Sequence, residues 1–367
     1  MGLPARTVRT GLSRRWWTSL AILLCALQAV VASARAGELV VGMGRDATFR
    51  VPSDAAAVAR PGDTIRILPG TYYDCAVWRA DDLIIEGSGE ATRITDRVCQ
   101  GKAIFVVAGH NARIRSLVLS RARNLDGHGA AIRAEGRNLS LDGVLIENNQ
   151  DGIFAPGLAG GELRIERSTF RRNGATAGGT PSAAVRTGRL DALLIRDSVF
   201  EDGRGKAAIL SGANWTQLEG CHIGGGMDLD GATVMVEGGL RAVHNRLEPG
   251  SGPRGYRAGI LALPSASTQP LLVLGNQLEG SGLLMLNWSG QSIVLVGNRV
   301  RSDALEASDE GAWWFAIRQW IRSAWQDVRD RARQALQALR RLADVGSSAD
   351  AQLPTWRDAR AGTNSQS

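Results

Sequence analysis

The chain has 367 residues, of which 45 are glycine and only 19 aromatic, ten of these tryptophan, while 44 % of all residues are hydrophobic. That balance excludes an aromatic-rich sandwich core and a disordered chain, and the length supports a sizeable core without an obligatory disulfide framework. The net charge of +7 is unevenly placed: residues 1–36 carry Arg6, Arg9, Arg14, Arg15 and Arg35 and no acid, so the remainder holds +2, and Lys102 and Lys206 are the only lysines. A polyanion-binding surface needs clustered cations, so no nucleic-acid partner is expected.

Arg14-Arg15 is followed by an uncharged run from Trp16 to Ala34, and its apolar centre, Leu20 to Ala32, contains one polar residue, Gln28. A positive start, an apolar stretch of this length and the small-residue end Ala34-Arg35-Ala36 together read as a secretory signal peptide over residues 1–36. Cleavage is expected after Ala36, with Ala34 as second choice, which makes the protein periplasmic or secreted. Cys25 follows Leu24 rather than a small residue, which argues against lipoprotein processing. The apolar stretch falls short of the ~20 residues of a comfortable membrane span, so an uncleaved anchor is the weaker alternative.

Between residues 60 and 304 short strand-like runs are punctuated by Gly and Asn, and two aliphatic series recur. The first ends on Ile94, Leu119, Ile146, Phe170, Phe200, Ile223, Leu247, Leu278 and Val300, at spacings of 22 to 31 residues. The second is Ile104, Ile132, Ile153, Val185, Ile209, Val234, Ile260 and Leu284, with the same period at a different phase. Each unit is too short to bury its own apolar face, so units must stack. Leucine-rich repeats are excluded because their Leu-x-x-Leu-x-Leu consensus is absent, and helical repeats are longer and poorer in Gly. The fold class that remains is all-β: a right-handed parallel β-helix over residues 37–304, three short strands per coil, with like residues stacked on like.

Further assignments follow from the stacking. Asn245, Asn276 and Asn298 form an internal amide ladder at a turn, with Ser168, Ser198 and Cys221 filling the same slot, so Cys221 reads as a small core residue. Cys75 and Cys99 lie 24 residues apart, one coil, which brings them onto adjacent layers about 4.8 Å apart and favours a disulfide in an exported protein.

The segment Pro52-Ser-Asp-Ala-Ala-Ala-Val-Ala-Arg-Pro-Gly-Asp-Thr-Ile-Arg-Ile-Leu-Pro-Gly-Thr-Tyr72 resembles the opening of proteins in the pectin-lyase-like superfamily. There a short N-terminal helix caps the first coil and a Pro-Gly-Asp turn leads into the first strand. Gly129-Ala-Ala-Ile-Arg-Ala-Glu-Gly136 and Asn149-Gln-Asp-Gly-Ile-Phe154 resemble the paired coils of bacterial secreted right-handed β-helix repeat proteins. The resemblance covers residues 38–304 and implies the fold; the scaffold hosts lyases, hydrolases, epimerases and non-catalytic binders alike.

Polysaccharide lyases of that superfamily abstract a proton beside a uronate carboxylate, with Arg or Lys as base and Ca²⁺ or basic residues neutralising the carboxylate. Such chemistry needs charged residues on one outward face over successive coils. The residues after the second series point outward by period-2 alternation: Arg133, Phe154, Arg186, Leu210, Met235, Leu261 and Met285. Arg133 and Arg186 fall on one stripe two coils apart, about 10 Å. With Lys206 they are the catalytic candidates; His128, Asp151 and Phe154 are the substrate-binding candidates. Two solvated edge arginines are the plainer alternative. The middle coils carry Ala183-Ala184-Val185 and Ala207-Ala208-Ile209 where the resembled proteins show polar pairs, which favours binding over catalysis. His110, His128, His222 and His244 share no metal-ligand spacing, and neither a metal nor a cofactor is expected.

From Leu210 onward the outward stripe turns apolar. Residues 311–345 then lose their glycine, and Trp313, Trp314, Ile317, Trp320, Ile321 and Ala324 begin an apolar series at three- and four-residue steps, the pattern of a long C-terminal amphipathic helix within residues 305–345. Arg318, Arg322, Arg329, Arg331, Arg333, Arg340 and Arg341 occupy its other face. Three dispositions are open: along the stack over the apolar stripe, across the last coil as a cap, or at a membrane surface. Residues 346–367 read as a disordered tail. The sequence thus describes an exported β-helix that binds polysaccharide or serves as a cell-envelope module, with a polysaccharide lyase acting on acidic glycans as the competing reading.

Overall fold

The computed structural model describes residues 36–300, except 158–159, 175–180, 225–231 and 251–256, together with Ala307–Ser308. The expected signal peptide, C-terminal helix and tail lie outside the described residues. Within them the chain winds as a parallel β-solenoid of three sheets. The first has eleven strands, from Glu38–Val41 to Ile293–Val296; the second has nine, from Gly70–Tyr72 to Gln277–Leu278; the third has ten, from Ala76–Trp78 to Leu283–Asn287 and Ala307–Ser308. Successive coils add one strand to each sheet in turn, so the stack runs on to Ser308. A seven-residue helix over Pro52–Val58 buries Pro52 and Ala55 beside the first strands, and Asp74 accepts a hydrogen bond from the Ser53 amide at 2.8 Å.

The first aliphatic series is a column in register through the second sheet: Ile94, Leu119, Ile146, Phe170, Phe200, Ile223, Leu247 and Leu278 pair one above the next. All are buried, and Phe170 and Phe200 stack with ring centroids 4.7 Å apart. The second series is a column through the third sheet from Ile132 to Ile260, with Ile153, Val185 and Ile209 directly stacked and fully buried. Its ends are corrected: Phe105, not Ile104, stands in register with Ile132, and Met285, not Leu284, with Ile260. The outward row therefore ends on Leu286 rather than Met285, which faces the core. The physical reason is that two adjacent residues of each strand turn inward. In the middle coils the first of the two is small (Ala131, Gly152, Ala184, Ala208), so the aliphatic one marks the column; Ile104-Phe105 and Leu284-Met285 are large at both places.

Between first and second sheets each coil turns through one residue at positive φ: Ser116, Gly143, Arg167, Asp197, Gly220, His244, Gly275 and Gly297. Half are glycine, which adopts that conformation without the penalty a Cβ brings. The next residue enters the interior. There the amide ladder forms: the Cys221 amide donates to Asn245 Oδ1, the Asn245 amide to Asn276 Oδ1 and the Asn276 amide to Asn298 Oδ1, each at 2.9 Å. Ser168 and Ser198 occupy the same slot, 3.2 Å apart from amide to hydroxyl. A second ladder links Asn149 to Asn173, where Asn149 donates through its amide at 3.1 Å and through Nδ2 at 3.0 Å.

Cys75 and Cys99 form a disulfide, with Cα atoms 5.5 Å apart. Cys221 is buried among core side chains, and its Sγ donates to the Glu219 carbonyl at 3.3 Å. Burial pushes its thiol up to about 11.

Asn276→Ala strips the Asn245 amide and the Ala242 carbonyl of their partners inside the core, and should lower urea-unfolding stability by about 3 kcal/mol, against about 0.5 kcal/mol or less for Gln277→Ala on the surface. Alkylation of the Cys221 peptide near pH 8, followed by mass spectrometry, should be at least about 10²-fold slower in the native protein than in denaturant, because so little thiolate is present.

Candidate functional site

The outward side of the third sheet brings together residues far apart in the chain. Strands Ala130–Ala134, Asp151–Ala155 and Ala183–Thr187 lie side by side, and their register puts Arg133, Phe154 and Arg186 in one row. The row closes into a stack: Arg133 Cζ lies 4.3 Å from the Phe154 ring centroid and Arg186 Cζ 3.6 Å, from the coils on either side. The ring is thus covered by two guanidinium groups and offers only its edge to a ligand. Cation–π attraction of about 0.5–2 kcal/mol per pair holds both arginines against it.

Asp151 opens the middle strand and is fully buried. Its Oδ2 accepts from Arg186 Nη2 at 2.7 Å, its Oδ1 accepts from the Ala183 amide at 3.0 Å, and His128 Nδ1 lies 3.6 Å from Oδ2. Burial raises the Asp151 carboxyl above the ordinary range even though Arg186 and the amide favour its ionised form. On the preceding coil Glu135 bridges Lys102 Nζ, at 2.7 Å, and Arg133 Nε, at 3.5 Å. Burial lowers the Arg133 pKa, and the neighbouring charge of Arg186 adds to that effect. Arg133 Nε, Arg186 Nε and His128 Nδ1 are buried without a hydrogen-bond partner.

Five of the six candidate residues, Arg133, Arg186, His128, Asp151 and Phe154, therefore meet at one site. Lys206 stands just before the next strand, Ala207–Ser211, where its amide donates to the Ser182 carbonyl at 2.7 Å. Glu135 and Lys102 were not among the candidates. Glu135 follows Arg133 by two residues on the same strand face, so alternation was the signal that could have found it. The register positions on either side of Asp151 are Ala130 and Ala183, so the buried carboxylate has no carboxylate neighbour across the strands. What the arrangement offers is two partly dehydrated guanidinium groups at a fixed separation, able to hold a carboxylate or another oxyanion by charge-assisted hydrogen bonds.

Two other charged places differ from it. His222, Glu248 and Glu279, from three successive coils, have ligand atoms within 4.8 Å of one another, yet His222 Nε2 already meets Glu248 at 3.3 Å and Glu279 is paired to Arg246. A groove of about 840 Å³ on the first sheet is lined by Arg113, Arg115, Asp142, Arg164 and Glu166, and its cations are largely neutralised: Arg115 pairs with Glu86, and Arg164 with Glu162 at 2.6 Å. No helix among the described residues is long and apolar enough to cross a membrane.

The raised Asp151 carboxyl fixes the sign of a pH effect. Its stabilising share is present below the ordinary carboxylate range and is lost as pH climbs through the raised value. Asp151→Asn keeps an acceptor for the Ala183 amide but cannot titrate. The stability of the native chain relative to this variant should therefore decline as pH rises above the ordinary carboxylate range, read as the difference in urea midpoints; a difference that does not change with pH would contradict the assignment.

No protein-family model matches the chain, and no curated protein sequence matches it. Among solved structures it is similar to a pectin methylesterase from carrot, at 12 % identity and a TM-score of 0.44 over 73 % of this chain and 85 % of that one. A pectin methylesterase from Aspergillus niger gives 15 % and 0.42 over 76 % and 96 %, and an alginate lyase from Paenibacillus sp. gives 10 % and 0.21 over 69 % and 95 %. At this level of similarity no residue role transfers.

Proposed function

We propose that this protein is an exported β-solenoid that binds acidic polysaccharide of the cell envelope or its surroundings through the outward face of the third sheet. The observation that carries this reading is the Arg133–Phe154–Arg186 stack. Two cations are held there by a rigid register, partly stripped of water, and their Nε atoms make no hydrogen bond. A carboxylate-bearing sugar would offset that dehydration cost, whereas a neutral sugar would not. Export is supported by the signal-like pattern of residues 1–36 and by the Cys75–Cys99 disulfide.

Binding without turnover is favoured because the fully buried carboxylate of this face, Asp151, is committed to Arg186 and the Ala183 amide. Paired-carboxylate chemistry requires a second acid within reach, and Ala130 and Ala183 stand in those places. The depressed pKa of Arg133 supports one second reading, a lyase that uses this arginine as base.

Isothermal titration with polygalacturonate and with a neutral glucan separates these readings. The native protein should bind only the acidic polymer. Arg133→Ala and Arg186→Ala should each weaken it by about 10- to 100-fold, the worth of a lost charge-assisted hydrogen bond. Equal binding of both polymers, or full affinity in both variants, would refute the proposal. Ultraviolet absorbance from an unsaturated uronate product, lost in Arg133→Ala, would establish the lyase instead.

A further inference from the structure

Four successive coils of the third sheet, just before its last strand Ala307–Ser308, pose a separate question. Leu210, Met235, Leu261 and Leu286 form one outward row, and with Ala232, Ala258, Leu263 and Trp288 they make an apolar cluster separate from the solenoid interior. Despite facing away from the core, Met235 and Leu261 are 0 % exposed and Leu286 is 1 % exposed. Neighbours within a sheet do not achieve that: Leu194 and Leu272, outward leucines of the first sheet flanked on both sides, stay partly exposed. Val106, another fully buried outward residue of the third sheet, has a described cover, because the segment holding Cys99 packs on it. The described members of the Met235–Leu261–Leu286 cluster come from the row itself, its strands and the turn after them.

We infer that this row is the docking surface of the chain's own Trp-rich segment, residues 313–324. The last described strand lies at this place: Ala307–Ser308 pairs with Met285 and Leu286, which sets Ser308 next in register. Four residues, 309–312, separate Ser308 from Trp313, a reach of up to about 17 Å, so the segment starts beside the row at high effective concentration. Lengths agree as well. The four coils from Leu286 to Leu210 span about 14 Å, and a twelve-residue helix spans about 18 Å. Trp313, Trp314, Ile317, Trp320, Ile321 and Ala324 supply one continuous apolar face, while Arg318 and Arg322 fall on the other. The row ends at Leu210, because the next outward residue beyond it is Arg186, which an apolar face would not cover. This inference does not depend on the glycan-binding reading.

The test places a benzophenone amino acid at Leu210 or, separately, at Leu283, both partly exposed members of the cluster, in the full chain. After irradiation the expected product migrates as a monomer, and its cross-linked peptide lies within residues 313–324. The triple change Trp313→Ser, Trp314→Ser and Trp320→Ser should cut the yield at least fivefold, with the solenoid intact by circular dichroism. Anionic phosphatidylglycerol vesicles added before irradiation should leave the yield unchanged. Cross-links confined to residues 225–231 or 251–256, cross-links between two chains, loss of the product to vesicles, or no cross-link from either position would each overturn the inference.

Discussion

Everything in this molecule depends on register. In a parallel stack each residue meets its counterpart one coil away, so a side chain that satisfies its neighbours once must do so at every layer. The interior columns meet this demand with aliphatic and aromatic side chains, and the turn ladder meets it with amides that donate and accept in the same direction through Asn245, Asn276 and Asn298. Positive-φ residues recur at corresponding turns of successive coils, which keeps the columns aligned. A slip of one residue would carry each column to the opposite face.

The same register positions the candidate site. Arg133, Phe154 and Arg186 come from three different coils and touch because the inward columns beside them are aligned. A loop-borne site would need its own ordering; here the guanidinium groups are set by the backbone ladder and clamped on the ring. Asp151 completes the arrangement by holding Arg186 at the cost of its own burial. On the neighbouring coil Glu135 plays the matching part, bridging Lys102 and Arg133.

Much of the fold was legible in the sequence because periodicity is a direct consequence of stacking. Ile153, Val185 and Ile209 could be aligned from spacing alone, as could the slot shared by Ser168, Cys221 and Asn276. The column ends were less legible: Ile104-Phe105 and Leu284-Met285 offer two large apolar residues each, and only backbone pairing decides which one shares the column. Arg133, Arg186 and Phe154 were recoverable because alternation predicts which residues face outward, whereas Asp151 was expected on a flanking turn and instead opens the strand Asp151–Ala155. Glu135 needed one more step of the same alternation. The meeting of His222 with Glu248 and Glu279 was not recoverable, because it depends on loop lengths between three coils.

If an acidic polysaccharide sits on the stacked arginines, it shields them from reagent. Arginine-directed labelling with phenylglyoxal, read by peptide mass spectrometry with and without polygalacturonate, measures that shielding. Slower labelling confined to Arg133 and Arg186 is expected. Protection of Arg113, Arg115 and Arg164 in the first-sheet groove, with Arg133 and Arg186 labelled as before, would contradict it.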